Sequence, residues 1–260
     1  MKYWLTASNG KGHGIHSPFV FQFIAQVLND NREYYCYSTI ERLRRQLKYN
    51  KTEIILEDFG AGSRLHSAYK RRVCDIAKSS LKSKKFARLF FRMINFYFSE
   101  SLERAVTILE LGTSLGITTA YLASVNRSYR VITIEGAKSI AAIAKKNFQQ
   151  LGLSNIELIE GDFDSALIPT VKELSAIDFA FIDGNHRKEP TINYFKEILA
   201  KTSEQSIIVF DDIHWSKEME EAWEYIKHHA LVTLSIDLFF VGIVFFRKEQ
   251  RVKQHFTVRF

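Results

Sequence analysis

The chain has 260 residues, 46 % of them apolar, with three prolines and twelve glycines; it can bury a full core, and it is not composed like a disordered or low-complexity protein. Its two cysteines, Cys36 and Cys74, make neither a disulfide framework nor a metal-thiolate cluster, which points to a reducing compartment. The net charge of +7 is uneven, because residues 1–105 hold 19 Lys or Arg against 9 Asp or Glu and residues 106–260 hold 17 against 20. A basic front either attracts an anionic partner, such as nucleic acid, a membrane face or an acidic substrate, or is an ordinary solvated face. The start lacks an apolar signal core and no run approaches the roughly 18 apolar residues of a membrane helix, so the cytoplasm is the expected location.

In chain order, the front third reads as helices. In "SPFVFQFIAQVLND" (17–30) Ser17 can cap, Pro18 suits the first helical position, and apolar residues then recur at helical spacing. "STIERLRRQLKYN" (38–50) has Ser38 and Glu41 at capping-box spacing and Ile40, Leu43 and Leu47 on one stripe. The stretch after it is assigned to loops, including "EDFGAGSR" (57–64), where glycines permit a tight turn and Arg64 could meet an anionic substrate. A basic helix is expected over 69–79 and another over 84–97, with Phe86, Leu89, Phe90, Met93 and Phe96 on a wide apolar face. Ahead of them, "GKGHGIHSPFVF" (10–21) places His13 and His16 three residues apart; a structural or dimer contact, a pocket role and a metal role are all open for it.

From Ala105 the rhythm changes to strand, glycine turn and helix. "AVTILEL" (105–111), "RVITIEG" (130–136), "IELIEGD" (156–162), "IDFAFID" (177–183) and "SIIVFDD" (206–212) read as strands. Helical segments at 117–126, 137–152 and 189–200, and a helix or loop around 165–174, lie between them. Such alternation makes a mostly parallel sheet covered on both faces. After a helix at 219–229, "LVTLSI" (231–236) and "LFFVGIVFF" (238–246) make a hairpin about Asp237 that closes one edge. The basic tail 247–260 carries no pattern. The break divides a helical region, 1–104, from an α/β domain, 105–260.

The strongest local signal is "ILELGTSLGITT" (108–119). A glycine turn between the first strand and first helix lets a ligand approach the backbone, and the helix start offers free N–H groups. The stretch is neither GxGxxG nor a P-loop. Glu135 ends the second strand, where a carboxylate of a nucleoside-binding sheet accepts bonds from ribose hydroxyls. Asp162 ends the third strand, near a base edge, and the alternative for either acid is an ordinary loop position. "DFAFIDGNH" (178–186) and "IIVFDDIHW" (207–215) then repeat one design, an apolar strand ending in acid: Asp183, and the pair Asp211 and Asp212. Two such strand tips suggest a shared site.

From about Thr107 to Phe246 these motifs, in this order, resemble a class I S-adenosylmethionine-dependent methyltransferase, most closely the small-molecule O-methyltransferases of the catechol and caffeoyl-CoA type. The resemblance implies an α/β, Rossmann-like sheet of seven strands, six parallel and an antiparallel seventh inserted beside the sixth. A helical N-terminal cap would cover the substrate pocket or form a homodimer surface. The resemblance also implies that "LELGTSLGITT" sets Glu110, Gly112, Thr113 and Ser114 against the methionine part and nearby sugar. "TIEG" would set Glu135 and Gly136 at the ribose, and "EGDF" Asp162 and Phe163 beside the adenine. "FIDGNH" and "VFDD" match the next two motifs; in metal-dependent members they supply three ligands to a divalent cation, here Asp183, Asp211 and Asp212, oxygens that suit Mg²⁺ or another hard cation. The family usually has Asp-Asn where this chain has Asp211-Asp212. It carries a lysine base three residues after the first aspartate, and this chain has His186 there; imidazole can accept a hydroxyl proton near neutral pH.

The expected reaction is therefore transfer of a methyl group from S-adenosylmethionine to a hydroxyl of a small molecule. A cation on the acceptor oxygen would lower its pKa and fix its direction together, and three clustered carboxylates without one would repel one another. Against the cation stands the reading in which Asp183 touches the cofactor or a loop, Asp211 caps a turn, Asp212 faces solvent and His186 is the sole base. His214, beside Trp215, is a loop residue or a pocket wall. A nucleic-acid methyltransferase would use the basic front to hold phosphates and weaken as salt rises, but the chain lacks an Asn/Asp-Pro-Pro-Tyr type of motif. A non-catalytic cofactor-binding protein would show no turnover with any acceptor class.

Overall fold

The computed structural model describes residues 7, 10, 16–57, 68–99, 105–249 and 252–260. The expectations attached to His13, to Arg64 and to the glycines of 57–64 lie outside the described residues. The front elements are α1 (Pro18–Phe23, running on as a π turn, Ile24–Leu28), α2 (Tyr37–Tyr49), β1 (Glu53–Glu57), β2 (Ala68–Arg72), α3 (Val73–Ser80) and α4 (Lys84–Phe98). Then come β3 (Thr107–Leu111), α5 (Ile117–Ala123), β4 (Arg130–Glu135), α6 (Lys138–Gln150), β5 (Ile156–Glu160) and α7 (Phe163–Glu173). The last are β6 (Phe179–Ile182), α8 (Lys188–Leu199), β7 (Ile207–Asp211), α9 (Lys217–His228), β8 (Leu234–Asp237), β9 (Val241–Phe245) and β10 (Gln254–Thr257). Among the described residues no helix is long and apolar enough to cross a membrane, and Cys36 and Cys74 are free and buried.

The chain divides into two compact units, 32–169 and 1–31 with 170–260. In the first, β3, β4 and β5 are parallel neighbours. Every residue of β3 is buried, as a strand covered on both faces requires. The stripe of Ile40, Leu43 and Leu47 on α2 packs with Phe91 of α4 and Ile117 and Tyr121 of α5. The capping box of Ser38 and Glu41 does not form, because α2 already begins at Tyr37 and Glu41 instead accepts from Arg44 Nε and Tyr121 Oη, each at 2.9 Å. The helix expected over 69–79 is corrected at its start. Residues Ala68–Arg72 form β2, antiparallel to β1 with Leu56 opposite Tyr69, and the helix begins only where Val73, Cys74, Ile76 and Ala77 supply a buried face.

In the other unit Ser17 and Pro18 start α1 as expected, with Ser17 Oγ accepting the Val20 N–H at 3.4 Å. Phe19 and Phe23 stand edge-on to Phe245 of β9, at 5.1 and 6.4 Å between centroids. β6 and β7 are parallel, and β9 runs antiparallel to both β7 and β8. The tail also forms a strand: β10 pairs in parallel with β8. The strand order is β10-β8-β9-β7-β6-β3-β4-β5, a mostly parallel Rossmann-like sheet with the antiparallel strand inserted beside β7.

Candidate cofactor and acceptor site

After β3 the chain turns through Gly112 (φ 99°), Ser114 (φ 48°) and Gly116 (φ 80°) before α5 begins. These left-handed positions make the loop tight. Gly116 has a second reason to be glycine, since a Cβ would lie 2.5 Å from the Phe148 ring. The N–H groups of Gly112 and Thr113 both donate to the Ile134 carbonyl of β4, at 3.1 and 3.3 Å. Ser114 N–H donates to Glu135 Oε2 at 2.8 Å and Ala137 N–H to Oε1 at 3.0 Å. Both oxygens of Glu135 are thus held by backbone groups. Burial raises the pKa of this carboxyl, against the backbone donors that favour its charged form.

Behind the turn lies Glu110, wholly buried. Its Oε2 accepts from Thr119 Oγ1 at 2.5 Å and Thr133 Oγ1 at 2.7 Å, and Thr113 Oγ1 lies 2.6 Å from Thr133 Oγ1. Thr133 gives its one proton to Glu110, so Thr113 is the donor to Thr133. Glu110 Oε1 is buried with no hydrogen-bond partner among the described residues. Burial pushes the carboxyl up to about 7; two hydroxyl donors oppose the rise and the charge of Glu135 adds to it.

Asp162 is exposed and caps α7: Ser165 N–H donates to Oδ1 at 2.9 Å and Ser165 Oγ to Oδ2 at 2.6 Å. These bonds hold its pKa below the usual carboxylate range. Phe163 opens the same helix, half-buried. At Gly136 a Cβ would meet only Gly161 O, at 3.9 Å, so close packing does not demand glycine there.

In the 170–260 part, the register of β6 and β7 runs from Phe179 opposite Ile207 to Ile182 opposite Phe210. It brings Asp183 and Asp211 to neighbouring strand tips. Asp211 is buried, and Asp183 and Asp212 are half-buried. Among the described residues, however, no three Asp, Glu, His or Cys side chains come together as a ligand set. Asp183, Asp211 and Asp212 are thus not grouped as a cation centre among the described residues. Asp212 takes a left-handed backbone (φ 51°) and its N–H donates to Phe240 O at 2.7 Å, which turns the chain toward the β8–β9 hairpin instead of continuing the strand.

His186 Nε2 lies 3.8 Å from Asp183 Oδ1. Its loop is held by Asn185 (φ 65°), whose Nδ2 donates to Tyr194 Oη and whose Oδ1 accepts from Arg187 Nε, both at 2.9 Å. Lys188 is no substitute base: Nζ pairs with Glu221 at 2.9 Å, and that bond raises its pKa. His214 has both nitrogens against carboxylates, Nε2 at 2.8 Å from Asp237 and Nδ1 at 3.3 Å from Glu220, and it stacks on Phe239. The Asp237 contact raises its pKa, so it serves as a tie from this loop to the hairpin and α9. Sequence reasoning missed this tie and the Thr113, Thr119 and Thr133 hydroxyl chain; the only trace of the chain was a run of threonines on separate elements.

A family of methyltransferase domains matches residues 109–213, from β3 to just beyond the tip of β7. That stretch resembles a methyltransferase domain, and the sheet around it has the strand order of such a fold. A catechol O-methyltransferase of Niastella koreensis is 33 % identical over 113 residues, 42 % of this chain and 50 % of that protein, so the match spans half of that relative's length. The O-methyltransferase of Bacillus cereus in complex with SAH shares the methyltransferase fold at TM-score 0.57 and 19 % identity, over 87 % of this chain and 97 % of that one. The O-methyltransferase TomG of Streptomyces achromogenes, involved in tomaymycin synthesis and solved with SAM, does so at TM-score 0.56 and 17 % identity, over 88 % and 95 %.

Proposed function

We propose that the protein transfers a methyl group from S-adenosylmethionine to a hydroxyl of a small molecule. The observation that carries this reading is the 112–116 turn closed onto Glu135 by the Ser114 N–H, with the buried acid Glu110 behind it. The catechol O-methyltransferase relative and the cofactor-bound structures of the same fold support it. Glu110, Gly112, Thr113 and Ser114 would meet the methionine part and nearby sugar, Glu135 and Gly136 the ribose, Asp162 and Phe163 the adenine. Residues 1–104 would supply the substrate cap or a homodimer surface. The cofactor, when bound, supplies an electrophilic methyl group. His186 takes the proton of the acceptor hydroxyl, with Asp183 Oδ1 3.8 Å from its Nε2.

Glu135→Ala is expected to weaken S-adenosylhomocysteine binding by about tenfold or more, because ribose hydroxyls lose an acceptor and the turn loses its anchor. Unchanged affinity in calorimetry would remove Glu135 from the site. A cation assist by Asp183, Asp211 and Asp212 requires these carboxylates to close on one point, and among the described residues they are not grouped as a three-ligand set. Chelation is accordingly expected to leave the rate unchanged. Loss of rate on chelation, recovered by Mg²⁺ and abolished in Asp211→Ala, would return the three aspartates to a ligand role.

A further inference from the structure

Ser80 ends α3, and its Oγ lies 2.8 Å from Ser114 Oγ in the turn. The direction of this bond follows from the protons available. Ser80 Oγ donates to the Ile76 carbonyl of its own helix at 2.9 Å, the usual back-bond of a helical serine. A serine hydroxyl has one proton to give, so Ser114 donates to Ser80. The Ser114 oxygen is left with lone pairs only. Its backbone N–H is bound to Glu135 Oε2 and its φ is 48°, so both ends of the residue are fixed and its hydroxyl cannot turn without breaking a bond.

We propose that Ser80 is a positioning residue of the cofactor site: by accepting the hydrogen bond of the Ser114 hydroxyl it leaves the Ser114 oxygen as an acceptor, matched to a ribose hydroxyl beside Glu135. The inference rests on the cofactor reading above. The neighbouring Ser79 provides a control, since its hydroxyl donates to Asp75 O at 3.0 Å and accepts from Arg71 at 3.0 Å, contacts away from the turn.

The test is calorimetric titration with S-adenosylhomocysteine and its 2′-deoxy and 3′-deoxy analogues into the full chain and its variants. Ser80→Ala is expected to bind S-adenosylhomocysteine about fivefold more weakly, the loss of roughly one hydrogen bond, with a melting temperature matching that of Ser79→Ala. Ser80→Thr should restore affinity. The drop on removing a ribose hydroxyl should be smaller in Ser80→Ala than in wild type, and Ser80→Ala should add nothing to Ser114→Ala. Wild-type affinity in Ser80→Ala, or additive losses in the double variant, would overturn the role of Ser80 alone. A wild-type protein that binds none of these ligands would overturn the cofactor reading and this inference with it.

Discussion

His186→Gln is expected to lower turnover by about 10²- to 10⁴-fold, the usual contribution of a placed general base, while cofactor affinity stays near wild type. Glutamine keeps the length and polarity of the side chain and removes the proton acceptor. No nearby amine takes over, because Lys188 is held by Glu221 at 2.9 Å. Stopped-assay rates with a turned-over acceptor check this; an unchanged rate would mean that another group removes the proton.

Glu110→Gln should change how stability depends on pH. The folded protein holds the Glu110 proton up to about 7, against an ordinary value of 4.5. A raised folded pKa means that the fold keeps the proton after the unfolded chain has lost it. Stability then declines as pH rises between these two values, by about 3 kcal/mol in all, and levels off above them. Glutamine does not titrate, so urea midpoints at pH 5 and pH 8 should converge in the variant relative to wild type. A cationic ligand arriving at Oε1, which has no hydrogen-bond partner among the described residues, would favour the charged form. Wild-type affinity for S-adenosylmethionine should therefore rise through pH 7, and that of the variant should not. Equal pH slopes of stability in the two proteins would show that Glu110 ionises normally in the fold.

The sheet was legible where pattern is local. β3, β4, β6 and β7 are short apolar runs closed by glycine or acid, and their helices carry stripes that a window of ten residues reveals. β1, β2 and β10 were not, because short strands with exposed residues such as Ile55, Tyr69 and Lys70 are defined by a partner far along the chain, and no periodicity records it. In the candidate site, the place of Glu135 at a strand end was legible, but the bond it accepts from the Ser114 N–H was not. The hydroxyl chain onto Glu110 was not, since Thr113, Thr119 and Thr133 meet only once the turn, α5 and β4 are assembled. At the Asp211-Asp212 pair the sequence shows adjacency but not the left-handed backbone at Asp212, which no local pattern records.

The tail strand bears on how this sheet behaves among its own kind. An outermost strand offers a row of free N–H and C=O groups on which another chain can add, the first step of aggregation. β10 occupies the outer side of β8 and is itself only four residues long, Gln254–Thr257. At the other end β5 carries Glu157 and Glu160, each engaged by a cation at 2.7 Å, Arg130 and Lys145. One border is short and the other carries charges, two devices by which sheet edges are made poor templates for a further strand.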